Sequence, residues 1–185
     1  MSEFTVHTPE TAPGNAGESL EAAQKATGFI PNLYGVMAEQ PALLDAYKAM
    51  GGFVGQTGLS VVEQQVAFQV SNFENGCTYC VAAHSAISDG QKVPADVTEA
   101  LRAGAPLADP KLNALANYTR LVVTSRGWVS EDDRQAFYAA GYTKADALAV
   151  IVIVSMKVLS NYTNHIAETP LDSAFKAREW QKPAA

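Results

Sequence analysis

The segment TKADALAVIVIVSMKVLSNYTNHIAE, Thr143 to Glu168, decides the fold. Its centre, Val150 to Val154, is a β-branched run that suits a buried strand. Three features favour a helix instead. Thr143 is a good N-cap residue, the apolar pattern outruns any ordinary strand, and no second strand signal offers a pairing partner. A helix this apolar on all sides belongs in a bundle centre or a subunit interface. The chain therefore reads as all-α, a multi-helix bundle, and oligomeric.

Working outward, the other segments carry helix punctuation. Residues 1–17 hold Pro9, Pro13, Gly14 and Gly17 and read as an extended arm; residues 18–185 read as one helical domain. Glu18 to Gly28 is rich in Ala, Glu and Lys and stops at a glycine. Short helical pieces follow from Pro31 and Pro41, proline being tolerated in a first turn. Ser60 with Glu63 three residues later forms a capping-box signature, and Asn75-Gly76 closes that helix. Further helices are bounded by Cys77 and Gly90, Pro94 and Gly104, Pro110 and Gly127, and Ser130 and Gly141.

Composition excludes several classes. The 185 residues are 48% apolar and 17% charged, which is a globular balance. Net charge is −6 and no Lys/Arg cluster offsets phosphate, so a nucleic-acid surface is not expected. The start, MSEFTVHTPETAPGNAGES, lacks the basic and apolar regions of a secretory signal. The run Ala147 to Met156 is about half a bilayer crossing, so neither a membrane span nor a membrane partner is expected. The expectation is a cytoplasmic protein.

The chemistry concentrates in ENGCTYCVAAHSAIS, Glu74 to Ser88, which holds both cysteines and one of three histidines. With Cys77 at a helix start, Cys80 follows about 4.5 Å along the axis and nearly one turn round. That spacing permits a disulfide. His84 lies one turn further on the same face, within reach of a thiol. The helix dipole favours a thiolate here. A zinc site would want four N/S ligands, and Cys77, Cys80 and His84 make three. Two inert buried cysteines are the bland alternative. A thioredoxin-type fold lacks its βαβ context.

The stretch NGCTYCVAAH resembles the Cys-x-x-Cys-x-x-x-His signature of the alkylhydroperoxidase D-like (AhpD-like) proteins, within the carboxymuconolactone decarboxylase superfamily. The preceding helix LSVVEQQVAFQVSN is similar to the family pattern, over roughly Leu59 to Asp89. The resemblance implies an all-helical fold assembling as trimers or hexamers. It implies thiol-dependent reduction of a hydroperoxide substrate without bound cofactor, and regeneration by an external dithiol reductant. It makes Cys80 the peroxidatic thiol, Cys77 the resolving thiol and His84 part of a proton relay. The family's relay glutamate falls at Gln65, and the histidine often found before the second cysteine is replaced by Tyr79.

Other residues are candidates to support that relay. Glu63 sits about 200° round the helix from Gln65. Glu74 precedes the cysteines by one turn, with a solvated helix-end charge as its plain alternative. Asn161 and His165 lie one turn apart on the last long helix and are candidates to face the same pocket, a surface or dipole-pairing role being the plainer alternative for His165. Two further functions share the fold or the thiols: a carboxymuconolactone decarboxylase-like enzyme, and a non-enzymatic redox sensor or thiol relay.

Overall fold

The computed structural model describes residues 3–183. Among them are nine α-helices, one terminal 3-10 helix and no strand. The helices are α1 (Ala16–Thr27), α2 (Asn32–Met37), α3 (Pro41–Val54), α4 (Val61–Glu74), α5 (Thr78–Gly90), α6 (Ala95–Ala103), α7 (Pro110–Thr124), α8 (Glu131–Ala139) and α9 (Lys144–Ala167). The 3-10 helix spans Ser173–Arg178.

The punctuation works as the sequence suggests. Ser60 Oγ accepts from the Glu63 N–H, and the Glu63 carboxylate accepts from the Ser60 N–H at 2.9 Å. Thr143 and Asp146 form the same reciprocal pair at the start of α9. Each arrangement satisfies donors that a helix start leaves open. The β-branched run inside α9 is helical because its alternative, a lone strand, would leave buried backbone groups unpaired.

α4 is the axle of the bundle, packed against α5, α6, α7 and α9. Its Val66, Ala67 and Val70 are almost wholly buried, with Ile153 and Val150 of α9 against the same core. Truncating Ile153 to Ala there costs about 2–5 kcal/mol. Polar pins cross the same junction. Asn161 Nδ2 donates to Asn72 Oδ1 at 3.0 Å, Asn72 Nδ2 to the Cys80 carbonyl at 3.3 Å, and Gln69 Nε2 to the Val81 carbonyl at 3.2 Å. Buried amides with partners on three helices fix one register among α4, α5 and α9.

One boundary moves, and one helix is covered on a single side. The extended arm is shorter at its C-terminal end, because α1 already begins at Ala16. Its described part lies back on α2: the His7 N–H donates to the Gly35 carbonyl at 3.1 Å and His7 Nε2 meets Glu39 at 2.7 Å. Gly35 permits the approach, since a Cβ there would stand 2.7 Å from Val6 and 2.8 Å from the His7 carbonyl oxygen. Residues 1 and 2 of the arm, and the last two of the domain, lie outside the described residues. Second, α9 is buried on one side only within this chain. Leu148, Ile151, Tyr162 and Ile166 face outward and stay exposed. α9 alone among the described helices has the length and hydropathy to cross a membrane, yet its opposite face packs on α3 and α4 as a core helix.

After α9 the chain turns at Glu168 (φ 47°) and returns across α5. Asp172 anchors this return. Its carboxylate, buried, accepts from the Asn32 N–H at 2.9 Å and from the Tyr79 hydroxyl at 2.5 Å. Phe175 then packs edge-on against Tyr79 and Phe29, and Trp180 buries its ring, donating to the Arg102 carbonyl at 2.9 Å.

Candidate active site

Cys77 is the N-cap of α5 and Cys80 sits one turn in, both free and both almost wholly buried. The two thiols are close enough to influence each other's proton, in the sense that favours an anion on Cys80 and a proton on Cys77. Asn164 of α9 reaches both: its Nδ2 lies 3.2 Å from Cys80 Sγ and 3.7 Å from Cys77 Sγ. An amide donor on a sulfur stabilises its anion.

α9 also delivers Lys157. Its side chain is 1% exposed, and its Nζ lies 2.9 Å from His84 Nε2. An ammonium can only donate, so Nε2 accepts and the ring proton rests on Nδ1. Nδ1–H then donates to Gln65 Oε1 at 2.9 Å, and Gln65 Nε2 donates to Gln91 Oε1 at 2.9 Å. The chain of donors runs in one direction, from Lys157 through His84 and Gln65 to Gln91 at the surface. Phe68 backs the imidazole, with ring centroids 4.7 Å apart.

The electrostatics follow from this packing. Burial pushes the Cys80 thiol up, but the Cys77 S–H, the Lys157 ammonium, and donors from Asn161 and Ser160 together outweigh it. Net, Cys80 is held below the ordinary thiol range and is the thiolate of the pair. Cys77 is raised, first because its proton is shared with Cys80 and then by burial. Burial, with Lys157 adding to it, holds His84 well below its usual range, so the ring is neutral. Among the described residues no carboxylate forms an ion pair with Lys157. A buried ammonium needs an anion, and the Cys80 thiolate is the one beside it.

Cys80, His84 and Lys157 line a cavity of about 260 Å³ together with residues of α2, α3, α5 and the returning C-terminal segment. Cys77 does not line it. A larger apolar hollow of about 350 Å³ lies between α2 and the outer face of α9 but holds no thiol. It has no reactive group, so the smaller cavity is the candidate site.

The structure thus brings together Cys77, Cys80, His84 and Gln65, and places Asn161 next to them, its side chain bonded to Asn72 and Asn75. Tyr79 is beside them with a structural task, its hydroxyl held by Asp172 and by the Leu33 N–H. Three supporting candidates are elsewhere. Glu63 is spent on its capping box and on Lys111 at 3.4 Å. Glu74 pairs with Arg120 at 2.7 Å. His165 is exposed on the outer face of α9 beside Tyr162, because it lies one residue past the inward stripe that Asn164 occupies. Among the described residues no group of three or more His, Cys, Asp or Glu side chains converges to hold a metal.

Sequence reading missed Lys157 and Asn164. The signal was present: Lys157, Ser160, Asn161 and Asn164 recur at intervals of three, one and three in an otherwise apolar helix. Such spacing puts all four on one face, and polar residues on the inner stripe of a core helix must serve something.

No family model matches the sequence, and no curated protein matches it. Solved structures match over nearly the whole chain. An AhpD-core, uncharacterized peroxidase-related protein from Ralstonia eutropha JMP134 superposes with a TM-score of 0.82 at 23% identity, covering 94% of each chain. An uncharacterized peroxidase-related protein from Silicibacter sp. TM1040 gives 0.77 at 20% identity, covering 90% of each. The debrominase Bmp8, a cysteine-to-alanine variant in complex with 2,3,4-tribromopyrrole, gives 0.79 at 16% identity, covering 96% of each. The fold is therefore the AhpD-like fold. The site built on it is a buried dithiol with one thiolate facing a cavity.

Proposed function

We propose that the protein is a thiol-dependent peroxidase that reduces organic hydroperoxides through a Cys77–Cys80 dithiol/disulfide cycle. The observation that carries this reading is the placement of the thiols: Cys80 lines the cavity and Cys77, one turn away on the same helix, does not, while their surroundings push the Cys80 pKa down and the Cys77 pKa up.

Cys80 thiolate attacks the terminal oxygen of the hydroperoxide and breaks the O–O bond. The sulfur becomes a sulfenic acid and the alkoxide leaves, taking a proton from the Lys157 ammonium. The Cys77 thiol then gives its proton to the Lys157 amine and attacks the Cys80 sulfur. The S–S bond forms and hydroxide departs as water with that same proton. Two electrons have moved from the dithiol to the peroxide, which ends as one alcohol and one water. An external dithiol restores the pair by exchange.

In this scheme Lys157 supplies the mobile proton that Gln65, an amide, cannot carry. His84 has both ring nitrogens occupied, so it acts by positioning Lys157. Asn164 steadies both sulfurs. The debrominase neighbour does not alter the reading, since at 16% identity it shares the fold alone. A pure redox sensor has no use for an organic-sized cavity over its reactive sulfur. A decarboxylase reading leaves the paired thiols without a task.

The test is consumption of an organic hydroperoxide with a dithiol supplied. Wild-type protein is expected to turn over. Cys80→Ser is expected to fall to background, and Cys77→Ser to react once and stop. Equal turnover by wild type and Cys80→Ser would end the proposal.

A further inference from the structure

Resting on the peroxidase reading for the role of the cavity, we infer that the site is built for a compact substrate carrying an aromatic ring, and not for hydrogen peroxide or a fatty-acyl hydroperoxide.

Size is the first argument. At ~30 Å³ per liquid water, 260 Å³ would hold about eight or nine waters. Hydrogen peroxide would leave most of that space to water, while a fatty-acyl chain would outgrow it. A single ring with a short substituent fills it.

The walls are the second. Phe29, Tyr34, Tyr47, Tyr79 and Phe175 surround the cavity, drawn from four separate parts of the chain. They are already paired edge-to-face: Tyr34 with Tyr47 (centroids 5.8 Å, 78°), Tyr79 with Phe175 (6.1 Å, 88°) and Phe29 with Phe175 (5.8 Å, 71°). Such an array presents both ring faces and ring edges, the complementary halves of the aromatic quadrupole. A guest ring can match both; a saturated ring of similar size gains contact area only. The array is also pinned, since the Tyr79 hydroxyl is held by Asp172 and Leu33. A pre-formed rigid wall favours a rigid flat guest over a flexible chain.

Charge is the third. No carboxylate is among the described residues lining the cavity, and its polar lining includes the Cys80 thiol and the Lys157 ammonium, the latter held at 2.9 Å by His84. The lining thus combines aromatic rings for a guest ring with a thiol and an ammonium for the group it carries.

The test avoids turnover. Reduced wild-type protein is titrated with 2-phenyl-2-propanol, 2-cyclohexyl-2-propanol and tert-butanol, alcohols that a thiolate does not reduce, with tyrosine fluorescence or methyl NMR shifts as the readout. The phenyl alcohol is expected to bind at least tenfold more tightly than tert-butanol and several-fold more tightly than the cyclohexyl alcohol. Phe175→Leu is expected to erase the phenyl-over-cyclohexyl preference. Equal or tighter binding of the cyclohexyl alcohol, or no saturable binding of the phenyl alcohol, would overturn the inference even if peroxide is consumed. Selective phenyl binding without any peroxide turnover would uphold the aromatic site and count against the peroxidase reading.

Discussion

Lys157 Nζ lies 2.9 Å from His84 Nε2, deep in the bundle, where the ammonium can only donate and the imidazole is held neutral. That one contact fixes the imidazole tautomer and the direction of the hydrogen bonds through Gln65 to Gln91. It also leaves the positive charge of Lys157 to be balanced by Cys80.

Replacing that cation separates function from stability. Lys157→Met keeps roughly the same volume while removing a buried charge. A buried ion pair contributes little net stability relative to apolar packing, and its replacement is often neutral or stabilising by ~1–4 kcal/mol. Thermal melts at a pH below the ordinary thiol range, where Cys80 in the variant carries its proton, are expected to show a midpoint unchanged or raised. Peroxide turnover in the same preparation is expected to fall at least tenfold. A variant that melts lower and still turns over would contradict the assignment.

Asn164 sits where a charge would be felt by both sulfurs. Asn164→Asp replaces the amide donor, 3.2 Å from Cys80 Sγ, with a carboxylate of the same shape. Like charge disfavours the thiolate. Iodoacetamide reaction of Cys80 at neutral pH is expected to slow by tenfold or more, and Asn164→Gln is expected to lose less.

Tyr79 is expected to matter for the fold and not for the chemistry. Tyr79→Phe strips one partner from the buried Asp172 carboxylate and the acceptor from the Leu33 N–H. The cost in denaturant unfolding should be about 1–3 kcal/mol. The pH profile of Cys80 reactivity should not move.

His84 gives a pH signature. Its pKa is lowered in the fold relative to the unfolded chain, so its contribution to stability is complete above about 6.5 and is lost as pH falls through the folded value. In wild type its ring protons are expected not to titrate between pH 6 and 8 by NMR. Gln65→Glu puts a carboxylate on Nδ1–H and raises the His84 pKa. The variant's His84 resonance should then shift within reach of that window, and its acid unfolding should become shallower.

Much of this was legible in the sequence, for identifiable reasons. Local signals wrote the helices: Ser60 with Glu63, Thr143 with Asp146, and glycines at 28 and 104 with φ of 83° and 67°. The thiol pair and His84 were legible because one turn of helix places them. Gln65 was legible through the family resemblance. Lys157 and Asn164 lie 73 and 87 residues from their partners His84 and Cys77, and no local rule spans that separation. His165 takes the surface place that suits a histidine near a helix end, because it lies one position, about 100° of rotation, past the inward stripe. The burial of Asp172 depends on a chain return after α9 that carries no periodic signal.

The most direct test of the central claim is the ultraviolet thiolate absorbance of reduced protein against pH, in wild type, Cys77→Ser and Lys157→Met. Cys80 with its pKa depressed stabilises the fold above the unfolded thiol value, about 8.5, and loses that contribution as pH falls through the folded value. One thiolate is expected to persist in wild type well below pH 8.5, with Lys157→Met moving its midpoint up by about 1–3 pH units. A wild-type midpoint at or above the ordinary thiol value, unmoved by loss of Lys157, would contradict the account.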